Sequence, residues 1–286
     1  MKRPSAPGTA IDAKRYKRWT SRFGSYRNVT TDTIGTWLDQ FDNNHRDLAA
    51  RVLDSVDFFG QSNILAAYRQ ALQALPGWDA TAARQTGKWR FAAMSGSAGE
   101  SGDAMLYQFR LANGLDSKRF HDLFVGRTDL FRLAMLPDND PQKLGKNDVV
   151  VLLDDFSGTG QQVCDAWNGP ETSFGALLAG VGHVYLILVA ASTTARKRII
   201  KETSISPFPA HELRESDDVF SDHCTHFTKS DKANLLHYCR IADRQLPMGR
   251  GNCGFVVVFQ HRTPNNSIPI LHREHSRWTG LFPRHE

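Results

Sequence analysis

Residues 149–162 read Val-Val-Val-Leu-Leu-Asp-Asp-Phe-Ser-Gly-Thr-Gly-Gln-Gln, and no other stretch limits the fold so tightly. Five consecutive branched apolar residues, Val149 to Leu153, predict a strand buried on both faces, as in a parallel sheet covered by helices. Asp154 and Asp155 follow where such a strand reaches the carboxyl edge of its sheet. Next come a turn of small residues, Ser157-Gly158-Thr159-Gly160, and an amphipathic helix expected from near Thr159. Open α/β sheets bind ligands at that edge. A Gly/Ser/Thr turn entering a helix offers backbone N–H groups and a positive dipole end to a phosphate. Carboxylates beside a phosphate cradle make sense if the ligand also carries hydroxyls or a divalent cation, and a phosphorylated sugar has both. An ordinary strand-turn-helix corner, with an Asp as helix cap, would use the same residue types.

The surrounding pattern repeats strand and helix. Trp89 to Met94 reads as a strand, and Ser95, Gly96, Ser97, Ala98 and Gly99 then form a loop without bulky side chains. Small residues let a backbone approach a polyanion closely, although many loops share this composition. Ala104 to Leu115 reads as a helix, Gly182 to Ala191 as a strand, and Thr193-Thr194 as the cap of a basic helix through Lys201. Strand alternating with helix implies right-handed βαβ units and a mainly parallel sheet flanked by helices. Lys229 to Leu246 reads as a helix and Phe255 to Gln260 as the last clear strand. Trp278 and Phe282 pin a terminal tail.

Before the sheet, apolar residues recur at helical spacing through Ile34, Trp37, Leu38 and Phe41, then Leu48 to Val56, then Ile64 to Leu75. All of these, Tyr68 included, read as core contacts. The expected organisation is a basic, flexible arm over residues 1–27, a helical front end over 28–85, and an α/β domain with its tail over 86–286. The arm carries eight Lys or Arg against Asp12 alone, so the net charge of +5 resides there. Its Lys14, Arg15, Lys17, Arg18 and Arg22 are interleaved with Trp19, a combination that suits nucleic-acid backbone and base stacking. It equally suits an acidic groove on a partner protein, or a solvated tail.

Four widely spaced cysteines indicate neither a disulfide framework nor a zinc knuckle. His223-Cys224-Thr225-His226 has no distant partner and reads as a loop. No apolar run approaches the ~20 residues of a membrane span, and no secretory signal opens the chain, so the cytoplasm is the expected compartment.

The Asp154-Asp155 strand and its turn resemble the phosphoribosyl-diphosphate (PRPP) motif of type I phosphoribosyltransferases. That resemblance implies that Asp154 and Asp155 hold the ribose hydroxyls and act in catalysis. It gives the 5′-phosphate to Ser157, Gly158, Thr159, Gly160 and Gln161, and pyrophosphate to Ser95–Gly99. It also implies a Mg²⁺ ion carried with the substrate, Asp154 or Asp155 being its nearest protein ligands. Two departures stand out: Gly158 where Ser or Thr is commoner, and Gln161-Gln162 in place of Gly or Thr. With Trp37-Leu38-x-x-Phe41, Thr263-Pro264-Asn265-Asn266, Pro269 and Trp278-x-x-Leu281-Phe282-Pro283-Arg284, the chain resembles a narrower group. These are the phosphoribosyltransferase-like proteins of bacterial conflict systems, including effectors encoded beside retron reverse transcriptases. The expected function is therefore an antiphage effector that binds PRPP or a ribose-phosphate nucleotide and acts on nucleotides or nucleic acid. Its implied partner is a nucleoprotein such as a reverse transcriptase with its RNA–DNA. The alternatives are a base-salvage phosphoribosyltransferase and a non-catalytic ligand sensor or scaffold.

Overall fold

The computed structural model describes residues 11–27, 29–81, 87–94, 102–170 and 173–284. In chain order the elements begin α1 (Ala13–Phe23), α2 (Thr31–Leu38), α3 (Arg46–Ser55), β1 (Asp57–Phe59), α4 (Gln61–Gln73), β2 (Trp89–Ala93), α5 (Gly102–Ala112) and α6 (Arg127–Met135). They continue with β3 (Val149–Ser157), α7 (Gln161–Asn168), α8 (Phe174–Leu178), β4 (His183–Ser192), α9 (Thr193–Glu202) and β5 (Ile205–Leu213). The last are α10 (Lys229–Ala242), β6 (Val257–Phe259), β7 (Glu274–His275) and β8 (Trp278–Thr279). The chain is an α/β protein with parallel sheets flanked by helices, as the alternation of strands and helices implies. No helix among the described residues is long and apolar enough to cross a membrane.

The chain divides into two compact units, residues 62–213 and residues 1–61 with 214–286. The first is the sheet unit. Its four strands are parallel in the order β2-β3-β4-β5. β3 and β4 form the middle, which is why both are near-continuous apolar runs with no alternation: Val149 to Leu153 and Val184 to Ala191 are all buried. The core on one side joins Ala92, Val150, Leu152, Leu186 and Leu188 of the strands to Leu130, Val163, Trp167 and Ile199 of the helices.

The second unit gathers α1–α3, α10, the parallel pair β1·β6 and the hairpin β7·β8. Its centre is aromatic. Phe23 and Tyr26 meet the ring of Phe282 edge-on at 5.1 and 5.3 Å. The indole N–H groups of Trp37 and Trp278 both donate to the Ile270 carbonyl, at 2.9 and 3.0 Å. Phe41 packs against both Trp278 and Tyr238. Thr263 donates to the Phe282 carbonyl at 2.9 Å, and Tyr26 to that of Pro283 at 2.7 Å. The Trp37, Thr263 and Trp278 blocks, far apart in sequence, thus meet as one core, and Trp278 and Phe282 do pin the tail.

Several expectations need correction. The basic arm fails as a flexible element from residue 11 onward. Ala13–Phe23 is a helix capped by Asp12, with Trp19, Phe23 and Tyr26 fully buried. Trp19 and Phe23, four apart, share one face of the helix and Tyr26 follows in the turn after it, and their apolar burial outweighs the charge around them. The division at residue 85 also fails: the front end is split at residue 61, and the segment after 213 packs with the N-terminal helices. The strand near residue 257 pairs with β1, not with the main sheet. Helix α9 is capped by Ser192, not Thr193-Thr194, because β4 runs to that residue.

Candidate functional site

β3 carries its apolar run to the edge of the sheet and there changes character. Leu153 is the last residue paired on both sides, with Ala93 of β2 and Ile187 of β4; Asp154 aligns with Leu188 of β4 alone and is 7 % exposed, whereas Asp155 is half-buried. The amide of Asp155 donates to Asp154 Oδ1 at 2.9 Å. On the neighbouring strand the amide of Met94 donates to the Leu153 carbonyl at 2.8 Å, so β2 ends level with the acidic pair. The expected pyrophosphate loop, Ser95, Gly96, Ser97, Ala98 and Gly99, starts from that point and lies outside the described residues.

The turn after β3 is fixed from one side. Ser192, at the end of β4, donates its hydroxyl to the Gly158 carbonyl at 2.6 Å and accepts from the Ala195 amide at 2.8 Å. One side chain thus caps α9 and anchors the turn. Gly160 sits before α7 at φ +73°, the left-handed region that favours glycine. A Cβ there would lie 3.0 Å from the Ala195 carbonyl oxygen and 3.3 Å from the Ile199 side chain. Helix α7 therefore starts at Gln161, two residues later than expected, because the chain first passes α9. Thr159 Oγ1 accepts from the Gln161 amide at 3.3 Å, and the Gln161 side chain turns back to the Asp165 carboxylate. Glycine gives α7 no capping side chain, and its first turn holds no acidic residue. The positive end of α7 is thus open to an anion from outside. Ser157 is buried at the end of the strand.

By its helical spacing Tyr68 reads as a core residue and no more. The residue is fully buried on α4, its ring edge-on to Phe109 at 5.6 Å, but its hydroxyl has no hydrogen-bond partner. Burial holds that hydroxyl protonated, its pKa well above the ordinary value, and the charges of Asp155 and Asp154 push the same way. A protonated donor therefore lies within electrostatic reach of two carboxylates. Nothing in the helical spacing around Tyr68 distinguishes it from its neighbours.

Of the residues expected to face nucleic acid, Arg15, Arg18, Trp19 and Arg22 have other partners. Asp54 accepts from Arg15 at 2.8 Å, from Arg18 at 2.6 Å and from the Trp19 indole at 2.8 Å. Arg15 also reaches Asp47 at 3.1 Å, and Arg22 donates to the Asp54 and Val56 carbonyls. Lys14 and Lys17 stay exposed. These cations hold α1 against the end of α3.

Asp154 and Asp155 suit a Mg²⁺ ion that arrives with its substrate. Mg²⁺ keeps waters and phosphate oxygens as ligands and needs only one or two carboxylates from protein. Among the described residues no cluster of three or more His, Cys, Asp or Glu forms a cage.

A model of the PRTase-CE family matches residues 34–284. No curated protein matches the chain. The match spans the Asp154-Asp155 edge together with the Trp37, Thr263 and Trp278 blocks, and the chain belongs to the PRTase-CE family, phosphoribosyltransferase-like proteins of conflict systems.

Proposed function

We propose that this chain is the effector of an antiphage defence system of the retron type, and that it binds PRPP or a ribose-phosphate nucleotide at the edge of β3. One observation supports this reading above the others: two carboxylates follow the buried apolar run of a central strand, and the turn after that strand enters a helix whose N-cap glycine supplies no side chain. Asp154 and Asp155 accept from the ribose hydroxyls. Ser157 to Gln161 surround the 5′-phosphate, which the α7 dipole favours. The reaction is a displacement at the anomeric carbon. Its bond to the pyrophosphate oxygen breaks, the electron pair leaves with pyrophosphate, and a nucleophile forms the new bond. Asp154 or Asp155 would hold a Mg²⁺ ion that came with the substrate, and the ion would supply charge neutralisation for the departing pyrophosphate. The restraining nucleoprotein partner, a reverse transcriptase with its RNA–DNA, follows from the family resemblance.

The Gln161 side chain bonds Asp165, which leaves the phosphate to backbone donors and favours a second reading: a site that senses its ligand without turning it over. Replacing Asp154 and Asp155 together by Asn separates the two. In the catalytic reading the double variant loses both growth toxicity and the consumption of PRPP or of a ribose-phosphate nucleotide such as NAD. Toxicity that survives the substitution overturns catalysis, and PRPP affinity that survives it overturns the ribose-phosphate site.

A further inference from the structure

At the C-terminal end of α10 a cleft of about 710 Å³ opens between that helix and the β7·β8 hairpin. Its walls carry Arg240, Arg244, Arg273 and Arg277 against two carboxylates, Asp243 and Glu274. Asp243 is already committed: it accepts from Arg273 Nε at 2.8 Å and from the amides of Gln245 and Leu246, both at 2.9 Å. His275 locks the hairpin to the helix. Its Nδ1 accepts from the Arg277 amide at 3.1 Å, which leaves Nε2 to donate to the Ala242 carbonyl at 2.9 Å. The lip bearing Arg277 is thus held in place. Among the described residues no carboxylate pairs with Arg240, Arg244 or Arg277, and all three are exposed. A helix C-terminus attracts cations, which accounts for Arg240 in the last turn but not for Arg244 or Arg277 beyond it.

We propose that this cleft grips the phosphate backbone of a single-stranded nucleic acid. Guanidinium groups match phosphate oxygens in bidentate geometry. The walls are open, so a strand can pass through where a small ligand would be engulfed. Of the α1 cations, the sequence's first choice for this role, Arg15 and Arg18 are spent on Asp47 and Asp54 and Arg22 on two carbonyls, whereas these three are not.

The test is fluorescence anisotropy of the full chain with labelled single strands of about twelve nucleotides, a length within the usual site sizes of such proteins, across a range of salt. In the variant Arg240→Gln/Arg244→Gln/Arg277→Gln, affinity should fall at least about tenfold and the log–log salt slope should become shallower by about 2. The three side chains are exposed, so the melting temperature should not move. Lys14→Gln/Lys17→Gln should bind like the parent. Unchanged affinity and slope in the triple variant overturn the proposal, as does loss of binding only in the lysine variant. Poly-glutamate competing as well as the oligonucleotide would make this a site for an acidic peptide, and tripolyphosphate doing so would make it a small-anion site. Either overturns the strand. None of these outcomes touches the ribose-phosphate reading.

A different observation carries a second inference, which rests on that reading. We infer that Tyr68 is a positioning residue for the acidic pair, its buried hydroxyl donating to Asp154 or Asp155 once a ligand draws the carboxylates into place. The Tyr68 hydroxyl is buried without a hydrogen-bond partner, which costs stability that a purely structural residue gains nothing by giving up. Tyr68→Phe should therefore leave the ligand-free melting temperature unchanged or higher, while PRPP and ribose 5-phosphate bind about five- to tenfold more weakly. Equal affinity in the variant, or affinity and melting temperature falling together, overturns the role of Tyr68 alone. A parent chain that binds neither compound overturns the ribose-phosphate site, and Tyr68's part in it.

Discussion

At the scale of single residues, the site depends on a few contacts that are unforgiving in different ways. Gly160 combines a positive φ with a carbonyl 3.0 Å from where a Cβ would stand. Gly160→Ala should cost more than about 1 kcal/mol and lower the melting temperature of the sheet unit, and calorimetry reads the shift. Ser192 answers for two bonds at once. Ser192→Ala leaves both the Gly158 carbonyl and the first turn of α9 without their partner, a loss of about 1–3 kcal/mol. Denaturant unfolding measures it, and PRPP affinity should drop with it, since the turn loses its anchor. Asp154 and Asp155 could be read from the sequence because a polar pair after five buried apolar residues breaks a pattern. Tyr68 could not, because it obeys its pattern: its hydroxyl matters only through elements more than eighty residues away, and no local spacing records that.

At the scale of elements, α1 shows how charge counting misleads. Eight cations draw attention to an arm, whereas Trp19, Phe23 and Tyr26 decide its fate by packing against the second unit's core. Trp19→Ala should destabilise that unit by about 3–5 kcal/mol, far more than the loss of an arm would, and intrinsic fluorescence during urea unfolding checks it. The element is also sensitive to acid. Burial raises the Asp54 carboxyl, but the bonds from Arg15, Arg18 and Trp19 outweigh it and leave the group below its ordinary value. Asp231 lies well below the carboxylate range, chiefly through the bonds from Arg51. Depressed carboxyls stabilise the fold fully above the ordinary carboxylate range, near pH 4, and lose that contribution as pH falls toward their folded values. Melting temperature should therefore fall below about pH 4, less steeply in Asp231→Asn than in the parent. A series of thermal melts from neutral to acid pH decides this.

At the scale of the whole molecule, the chain builds two units, and each should answer to its own substitutions. Calorimetry should resolve two transitions, with Trp19→Ala moving one and Gly160→Ala the other. A single transition displaced equally by both would refute that independence. The sheet unit was readable in order because its strands and helices follow one another locally. The other unit was not, since β1 pairs with β6 and Phe23 meets Phe282 across most of the chain. Periodicity predicts such elements one by one but cannot say which distant partners they find.

That long return path has a consequence for how the protein is made. On the ribosome, residues 62–213 are all present, and free to fold as a unit, while the chain that must close around Trp19, Phe23 and Tyr26 is still to be synthesised. Helix α1 waits for Phe282, almost the last described residue to emerge. A nascent chain that stops before Phe282 would hold a finished acidic edge on β3 and an unfinished aromatic core, its hydrophobic rings open to chaperones and proteases. The aromatic core closes only after Phe282 has been made, long after residues 62–213 are free to fold.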